Sequence, residues 1–499
     1  SMEAGTDPHE AEKVEIEIAH GITGQKQWDS KWMRYLVTAI SIGFSLTFLY
    51  TAGFGMFDLF VQRSTFLLGS LVLVFLLYPI RDDIYGHVID AALIGATLVT
   101  NGYLIANYKQ VAFQAGIPEG IHEVVFAVVL LLLVIEACRR TIGWILPILM
   151  LIFIAYALWG NHLPVFIHRG YEFNYLMGYI YLTTNGIWSF PVGIASTYII
   201  TFVIFGAFLL KSGISELFTN LAMRIAGRVH GGPAQVAVVS SGMFGMVSGA
   251  APANVATTGS VTIPMMKSIG FDNDFAGAVE SSASAGGLLM PPIMGAAAFL
   301  MVEFTGIPYR TIIVAAALPA LLYYVGIAFT VYFVSQNKGI GAQSKEAIHA
   351  QYPAPLEELK TRGHLMLPVI FLVVLVFQGW GVTTAAFWSI VVLIGITWFR
   401  SATRMGPRDI LRSLDDGGRK ILEIAMAVAA AGVIFSVVNL TGLGVKFSTV
   451  MLEAAGVSKL LALLMVMIGA IIMGMGLPAT VAYLIAAAVA APGMAALAF

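Results

Sequence analysis

The sequence contains a single cysteine, Cys138, and charged residues make up only 11% of its 499 positions. One cysteine excludes an intramolecular disulfide framework. The net charge is −1 and there is no long basic run, so nothing indicates a nucleic-acid partner. The sequence also lacks a phosphate-binding Gly-x4-Gly-Lys-Ser/Thr loop, a Cys/His metal spacing and a nucleophile elbow. We therefore do not expect an enzyme, or transport driven by ATP bound to this chain.

Hydrophobic residues are abundant: they make up 58% of the chain, and the mean hydropathy is +0.85. These values predict an all-α polytopic membrane protein. Lys and Arg are concentrated in alternate loops, which places the N-terminus and the 335–365 loop in the cytoplasm. Apolar segments of spanning length fall near 35–55, 64–80, 84–106, 121–138, 143–159, 193–211, 274–303, 312–334, 366–378, 383–399 and 420–440.

A polar tract rich in Gly and Pro, Ser248–Ser260, lies between two apolar segments that are too short to span a bilayer. Its motif Pro252-Ala-Asn254-Val-Ala256 recurs as Pro478-Ala-Thr480-Val-Ala482. Broken backbone inside a membrane survives only where protein or a watery cavity satisfies it. We therefore predict two re-entrant hairpins, at 234–268 and 459–491. The predicted topology opens them to opposite sides, which is typical of the inverted repeats of secondary transporters.

The predicted helix 274–303 contains Glu280-Ser-Ser-Ala-Ser-Ala-Gly-Gly287, followed by Pro291-Pro292. A proline pair interrupts the hydrogen-bond ladder, and the released carbonyls are suitable oxygen ligands for a dehydrated cation. The alternative is that these small residues serve close helix packing. The candidate substrate- and ion-binding residues are Ser248, Gly249, Asn254, Thr257, Thr258, Ser281, Ser282, Ser284, Gly286, Gly287, Pro291, Pro292, Gly474, Gly476, Pro478 and Thr480.

Four acidic residues lie within predicted spans: Asp90, Glu136, Glu280 and Glu303. Intramembrane acids are functional candidates because a charge in hydrocarbon is costly. Glu280 adjoins the interrupted helix and is the preferred candidate, as a possible proton site.

Several stretches resemble the fused membrane component of tripartite ATP-independent periplasmic (TRAP) transporters, in the TAXI branch. They are Ala253–Ser260, Gly286–Phe299, Gly306–Tyr309 and Gly474–Pro478. The resemblance implies an elevator mechanism in the bacterial inner membrane, a small organic carboxylate as cargo and a TAXI-type periplasmic binding protein. It also implies sodium as the coupling ion, near Ser248, Asn254 and Ser284, and no other cofactor.

The predicted organisation begins with an N-terminal cytoplasmic segment, 1–34, and a bracing region of small-subunit-like membrane helices, 35–165. A first repeat at 166–334, the cytoplasmic loop 335–365 and a second repeat at 366–499 follow. The counterpart of Pro291-Pro292 in the second repeat would fall beyond Phe499, so we expect a C-terminally truncated repeat.

Two alternatives to sodium-coupled import remain open at this point. One is a proton-coupled transporter of the same fold, since Glu280 offers a proton route. The other is a channel, because re-entrant hairpins also build selectivity filters. An intramembrane enzyme would need a catalytic dyad, and none is evident.

Overall fold

The computed structural model describes residues 30–163, 167–249, 251–342 and 354–446, together with Gln25, Lys26, Trp28 and scattered positions from 449 to 487. This part of the chain is helical, without strands, and contains nine helical segments, some of them joining consecutive helices, that are long and apolar enough to cross a membrane. The predicted all-helical, polytopic class is therefore confirmed. The helices up to residue 226 are α1 Lys31–Phe54, α2 Leu59–Leu77, α3 Ile84–Gln114, α4 Ile121–Thr141, α5 Ile145–Trp159, α6 Phe173–Leu182, α7 Phe190–Ile194, α8 Ile200–Lys211 and α9 Ile214–Ala226.

Ten further helices follow. They are α10 Gly232–Ser248, α11 Ala251–Ser268, α12 Asn273–Gly286, α13 Ala296–Thr305, α14 Tyr309–Asn337, α15 Pro355–Arg362, α16 Leu367–Phe377, α17 Val382–Thr397, α18 Pro407–Lys420 and α19 Leu422–Thr441.

Helix α3 is longer than the predicted span 84–106. Its 31 residues extend to Gln114, a length of about 45 Å at the α-helical rise, which exceeds the hydrocarbon core of a bilayer. The backbone leaves helical geometry once, at Asn107, whose side-chain amide donates to the carbonyl of Tyr103 at 2.9 Å. A helix of this length either tilts within the bilayer or extends beyond its hydrocarbon core.

Helix α1 packs closely against α18, far along the chain. The hydroxyl of Ser45 donates to the carbonyl of Leu414 at 2.7 Å, and that of Ser41 to the carbonyl of Asp415 at 3.0 Å. A Cβ on Gly418 would lie 2.6 Å from Ser41 Oγ, so only glycine allows this approach. Small and hydroxyl-bearing residues thus join the two helices, as is common between membrane helices.

The first predicted hairpin corresponds to α10 and α11, which pack side by side. Gly249 ends α10 with a φ of +60°, and α11 begins at Ala251. The prediction of broken backbone over the whole tract Ser248–Ser260 is therefore wrong from Ala251 onward. Pro252 lies in the first turn of α11, where an amide hydrogen has no intrahelical acceptor, so the proline starts the helix rather than interrupting it.

The segment predicted as 274–303 forms two helices. Helix α12 ends at Gly286, and α13 begins at Ala296. The intervening residues 287–295, which include Pro291 and Pro292, form turns. We call these nine residues the interruption.

The predicted loop 335–365 contains a further helix. Helix α14 continues to Asn337, and α15 begins at Pro355 with Glu358 buried. Arg362 at the end of α15 pairs with Glu358 at 3.0 Å and with Glu216 of α9. A charged helix therefore covers α9 where the sequence indicates only a loop.

Gly213 and Gly442 begin two stretches of similar sequence, Gly213–Phe218 and Gly442–Phe447, and the two glycines have similar backbones. Gly213 follows α8 with a φ of +87°, and Gly442 follows α19 with a φ of +65°. Both occupy the left-handed region in which a helix terminates and which glycine adopts without strain. Most of the second predicted hairpin, 459–491, lies outside the described residues.

Candidate functional site

A buried carboxylate is the centre of the candidate site. Glu280 is 0% exposed and is surrounded by hydroxyl groups from three helices. Ser241 of α10 donates to Glu280 Oε1 at 3.0 Å, and Ser284, one turn further along α12, donates to the same oxygen at 3.3 Å. Thr258 and Thr262 of α11 also donate to this carboxylate. We call these five residues the Glu280 cluster.

No salt bridge reaches Glu280 from any Lys, Arg or His in the described part of the chain. Buried carboxylates are usually paired with a cation, since an uncompensated charge is costly. Hydroxyl donors take that role here, because each can direct an O–H at a carboxylate oxygen. The cluster therefore joins both arms of the hairpin to α12 through one side chain.

Asn254 lies beside the cluster and is also buried. Its Nδ2 donates to the carbonyl of Ser241 at 2.9 Å, and its Oδ1 lies 3.2 Å from Thr258 Oγ1, whose single proton is directed at Glu280. The structure thus brings together the predicted residues Asn254, Thr258, Glu280 and Ser284. Ser241 and Thr262 were not predicted. The helical spacing from Thr258 to Thr262 could have indicated the second of them.

The tip of the hairpin contacts the interruption. The amide of Ile293 donates to the carbonyl of Met246 at 3.4 Å. A Cβ on Gly249 would lie 2.7 Å from the carbonyl oxygen of Met294, so this position requires glycine for its close approach as well as for its φ. The Ser248 hydroxyl is buried and has no hydrogen-bond partner among the described residues. Ser64, Ser70 and Ser436 have buried hydroxyls in the same state, so it is the position of Ser248, at the hairpin tip that contacts the interruption, that makes it a candidate ligand.

The ends of α10 and α12 approach each other closely at Gly245 and Gly287, two residues without side chains. A Cβ on Gly245 would lie 2.2 Å from Gly287 Cα, and one on Gly287 would lie 2.6 Å from Gly245 Cα. A Cβ on Gly286 would likewise lie too close to its neighbours, 2.5 Å from the ring of Tyr323 and 2.9 Å from that of Tyr324. The predicted importance of Gly286 and Gly287 thus has a packing reason in this structure.

The carbonyls near the interruption are largely occupied by protein donors. Tyr324 Oη donates to the carbonyl of Ala283 at 2.7 Å, Tyr323 Oη to that of Ser282 at 2.9 Å, and Tyr309 Oη to that of Ile293 at 2.5 Å. The sequence predicts carbonyls released for a cation, but these three already have donors. Each carbonyl oxygen keeps a second lone pair, so coordination is still possible.

Three predicted residues lie away from the Glu280 cluster. Thr257 donates to the carbonyl of Ala253 at 2.9 Å, and the exposed Ser281 donates to that of Ala278 at 3.1 Å. Ser282 is also exposed. The reason is helical rotation: Glu280 and Ser284, four residues apart, share a face of α12, whereas Ser281 and Ser282 lie on other faces.

Gly474 and Thr480 in the second predicted tip are half-buried, and Gly476 and Pro478 lie outside the described residues. Val481 and Leu484 are buried in the main apolar core. The ring of Tyr483 lies 6.4 Å from that of Phe304 on α13. The helical residues after this tip therefore pack near the first repeat's interrupted helix.

The other intramembrane acids differ from Glu280. Asp90 pairs with Arg140 of α4 at 2.6 Å, and Glu136 pairs with Arg139 and Arg140. Glu303 is exposed near the end of α13. Within the described part of the chain, no group of three or more His, Cys, Asp or Glu residues is arranged to hold a metal ion.

Residues 129–499 match the family model described as tripartite ATP-independent periplasmic transporter, DctM component. The chain belongs to this family. Its members are permeases of TRAP transporters and not enzymes. With the nine apolar helical segments of the described residues, this establishes a multi-pass membrane protein.

Individual TRAP permeases show the same similarity over shorter stretches. The C4-dicarboxylate TRAP transporter large permease protein DctM of Rhodobacter capsulatus is 28% identical over 165 residues, 31% of this chain and 38% of that protein. The sialic acid TRAP transporter large permease protein SiaM of Vibrio cholerae is 26% identical over 234 residues, 46% and 53% of the two chains. The isethionate TRAP transporter permease protein DctMQ of Oleidesulfovibrio alaskensis is 36% identical over 91 residues, which are 18% of this chain and 14% of that protein. The chain thus spans about half or less of these relatives' lengths.

Proposed function

We propose that this chain is the membrane permease of a secondary active importer for small organic carboxylates, with sodium as the coupling ion. A periplasmic binding protein of the TAXI type would deliver the cargo. The permease would lie in the bacterial inner membrane with its N-terminus in the cytoplasm, in keeping with the Lys and Arg distribution.

The observation that carries this proposal is the contact between the hairpin tip and the interruption. Ser248 presents a buried hydroxyl without a partner among the described residues, and the next residue, Gly249, has a positive-φ backbone that closely approaches the carbonyl of Met294. Secondary transporters coordinate sodium with unwound carbonyls and side-chain oxygens at such half-helix ends. Anionic cargo is favoured at half-helix N-termini, such as the start of α13 at Ala296. The proposed sodium position is therefore close to Ser248, with Ser284 of the Glu280 cluster and Asn254 beside that cluster as further candidate ligands.

An elevator mechanism is the proposed form of alternating access. The Glu280 cluster ties α10, α11 and α12 together through one carboxylate, which favours their movement as a unit. The matching backbones of Gly213 and Gly442 support an inverted repeat. The family match begins at residue 129, so α1 to α3 precede it, in keeping with a small subunit fused ahead of the large one.

The test is uptake by the purified full chain in proteoliposomes. Radiolabelled succinate and other small carboxylates would be supplied with an inward sodium gradient, with and without a TAXI-type binding protein from the same organism. We expect saturable uptake that requires both the binding protein and sodium, and no uptake when choline replaces sodium.

Two outcomes would replace this proposal. Uptake driven by a proton gradient in the absence of sodium would favour the proton-coupled alternative. Flux that neither saturates nor depends on the binding protein would instead indicate a channel, since a channel conducts without delivery of cargo.

A further inference from the structure

A second candidate site lies where the predicted bracing region meets the first repeat. Arg63, in the second turn of α2, is half-buried, and its Nη1 donates to the backbone carbonyl of Trp188. In the predicted topology α1 carries the chain out of the cytoplasm, so α2 begins on the periplasmic side. The proposed sodium position assigns no role to Arg63.

Arg63 is a cation without a carboxylate in contact. Among the described residues, no salt bridge joins it to an Asp or Glu. Its Nε and Nη2 have no hydrogen-bond acceptor in this part of the chain, and neither atom is fully buried. Both N–H groups are therefore available to an anion, and arginine offers them as parallel donors that match a carboxylate.

Another arginine of this chain shows what the Nε and Nη2 edge binds. Arg139 donates from these two atoms to the two carboxylate oxygens of Glu136, each at 2.8 Å. In Arg63 the same edge lies against Gly193 of α7, where a Cβ would lie 2.7 Å from Nη2 and 2.8 Å from Nε. Glycine leaves this edge uncovered, because it has no side chain. Arg63 thus presents an empty carboxylate fork beside the first repeat.

A tyrosine hydroxyl on the same helical stretch as Gly193 is a second donor without an acceptor. Tyr198 lies in the π-helical segment Ala195–Ile199, five residues beyond Gly193, and π-helical segments are frequent at functional sites. Its ring stacks on that of Phe299 of α13, with the centroids 5.8 Å apart. Its hydroxyl has no acceptor among the described residues and is not fully buried. Two unfilled donors therefore face this part of the first repeat.

Glu303, near the end of α13, interacts electrostatically with both Arg63 and Tyr198 but forms no hydrogen bond or salt bridge with either. Its carboxylate is exposed, so water screens its charge and leaves the half-buried guanidinium only partly compensated. The ring of the next residue, Phe304, lies 6.4 Å from that of Tyr483, which follows the second predicted tip. The donors are therefore near the helices that adjoin the proposed transport site.

We propose that Arg63 and Tyr198 form an entry site that binds a carboxylate group of the cargo on the periplasmic side, before the cargo reaches the hairpin tips. This inference rests on the proposed function. Arg63 donates from Nε and Nη2 to the carboxylate, and the Tyr198 hydroxyl donates to the same cargo. The negative charge of Glu303 keeps the binding weak, which allows the cargo to move on.

Chemical modification of Arg63 in the purified full chain tests this proposal. Phenylglyoxal modifies accessible arginines, and mass spectrometry of the peptides measures the rate at each of them. The probes are acetate, succinate and glutamate, together with succinamide, the neutral diamide. We expect at least one carboxylate to slow the modification of Arg63 about tenfold near saturation, and succinamide to have no effect. Arg310, exposed at the start of α14, should react at the same rate throughout.

Two substitutions should change the affinity in opposite directions. Tyr198→Phe removes a donor and should raise the half-protecting concentration of the carboxylate about tenfold, as for the loss of one hydrogen bond to a charged group. Glu303→Gln removes a repulsive charge and should lower that concentration about twofold. Tyr85→Phe, which removes an exposed hydroxyl at the start of α3, is the control and should leave it unchanged.

Several outcomes would overturn the entry site. They are the absence of protection by all three carboxylates, equal protection by succinamide or inorganic phosphate, and a higher half-protecting concentration in Glu303→Gln, which would show that Glu303 and Arg63 act as a structural pair. The result on the unsubstituted chain does not depend on the folding of any variant. The uptake assay separates this inference from the proposed function. Uptake without protection of Arg63 would overturn the entry site alone, and protection without uptake would overturn the proposed function alone.

Discussion

The hydroxyl of Ser241 donates to Glu280 Oε1 at 3.0 Å and thereby connects the first arm of the hairpin to α12. The bond is buried at both ends. Together with Thr258 and Thr262 from the second arm, it makes Glu280 the one side chain that touches all three helices through hydrogen bonds within the described cluster. The stability of this region should therefore depend on Glu280 more than on its neighbours in sequence.

Replacement of Glu280 tests this dependence. Glu280→Ala should lower the free energy of unfolding by about 3 kcal/mol, because buried hydroxyls lose their acceptor and a cavity remains. Glu280→Gln keeps an acceptor oxygen and should cost about 1 kcal/mol. Equilibrium denaturation in mild detergent measures both. Ser281→Ala, at an exposed neighbour, is the control and should change stability by less than about 0.5 kcal/mol. A Glu280→Ala protein as stable as this control would contradict the role assigned to the cluster.

Gly245→Ala should separate the ends of α10 and α12. Its new Cβ would lie 2.2 Å from Gly287 Cα, a backbone atom that cannot move aside cheaply. We expect a large fall in thermal stability and loss of uptake. Gly277→Ala on α12, where a Cβ meets nothing within 4 Å, should be neutral or stabilise by about 0.5–1 kcal/mol through helix propensity. Similar melting temperatures for the two variants would show that the approach of α10 and α12 is not needed.

Ser248→Ala tests the proposed sodium position. If sodium binds the hydroxyl, sodium should raise the melting temperature of the purified chain relative to choline, and the variant should lose most of that increase. Stability without sodium should change little, because the hydroxyl has no partner among the described residues. Ser260→Ala, an exposed hydroxyl on α11, should keep the full response. The same sodium response in both variants would place the ion elsewhere.

The Asp90–Arg140 ion pair should contribute far more than an exposed pair. Side-chain exposure is 7% for Asp90 and 3% for Arg140, so Asp90→Asn removes one of the two carboxylates that pair with a buried guanidinium and should cost about 2 kcal/mol. The corresponding change Asp272→Asn disrupts an exposed pair with Lys338 and should cost less than about 1 kcal/mol. Chemical denaturation measures the loss of unfolding free energy in each variant. Equal losses would argue against a structural role for the buried pair.

Cysteine labelling tests the predicted topology. The native Cys138 is buried, so it adds little background. Phe113→Cys, at an 89% exposed position after the kink of α3, should react with an impermeant maleimide in intact cells. Ala342→Cys, at an exposed position beyond α14, should react only after the cells are opened. The reverse pattern of labelling would show the opposite orientation in the membrane. Labelling of both positions in intact cells would contradict the predicted topology.

Most helices were predictable from hydropathy, because a lipid environment permits few alternatives to a continuous helix. The features that the sequence did not predict are the roles of individual prolines and the interactions between residues that are far apart in the sequence. Pro252 starts a helix and Pro291 lies within an interruption, although the local sequence at both is rich in small residues. Ser241 gave no signal because its partner, Glu280, is 39 positions away. Asp90 was visible as an intramembrane acid, but its pairing with Arg140 depends on how α3 and α4 pack.

The hydroxyl contacts of α1 with α18 have a consequence for biosynthesis. Ser41 and Ser45 are synthesised early, whereas their acceptors at Leu414 and Asp415 follow more than 350 residues later. At ordinary translation rates that interval is on the order of twenty seconds or more. During this time the inserted N-terminal helices lack the neighbour that fills one of their faces. Helix α18 therefore completes this part of the bundle late in assembly.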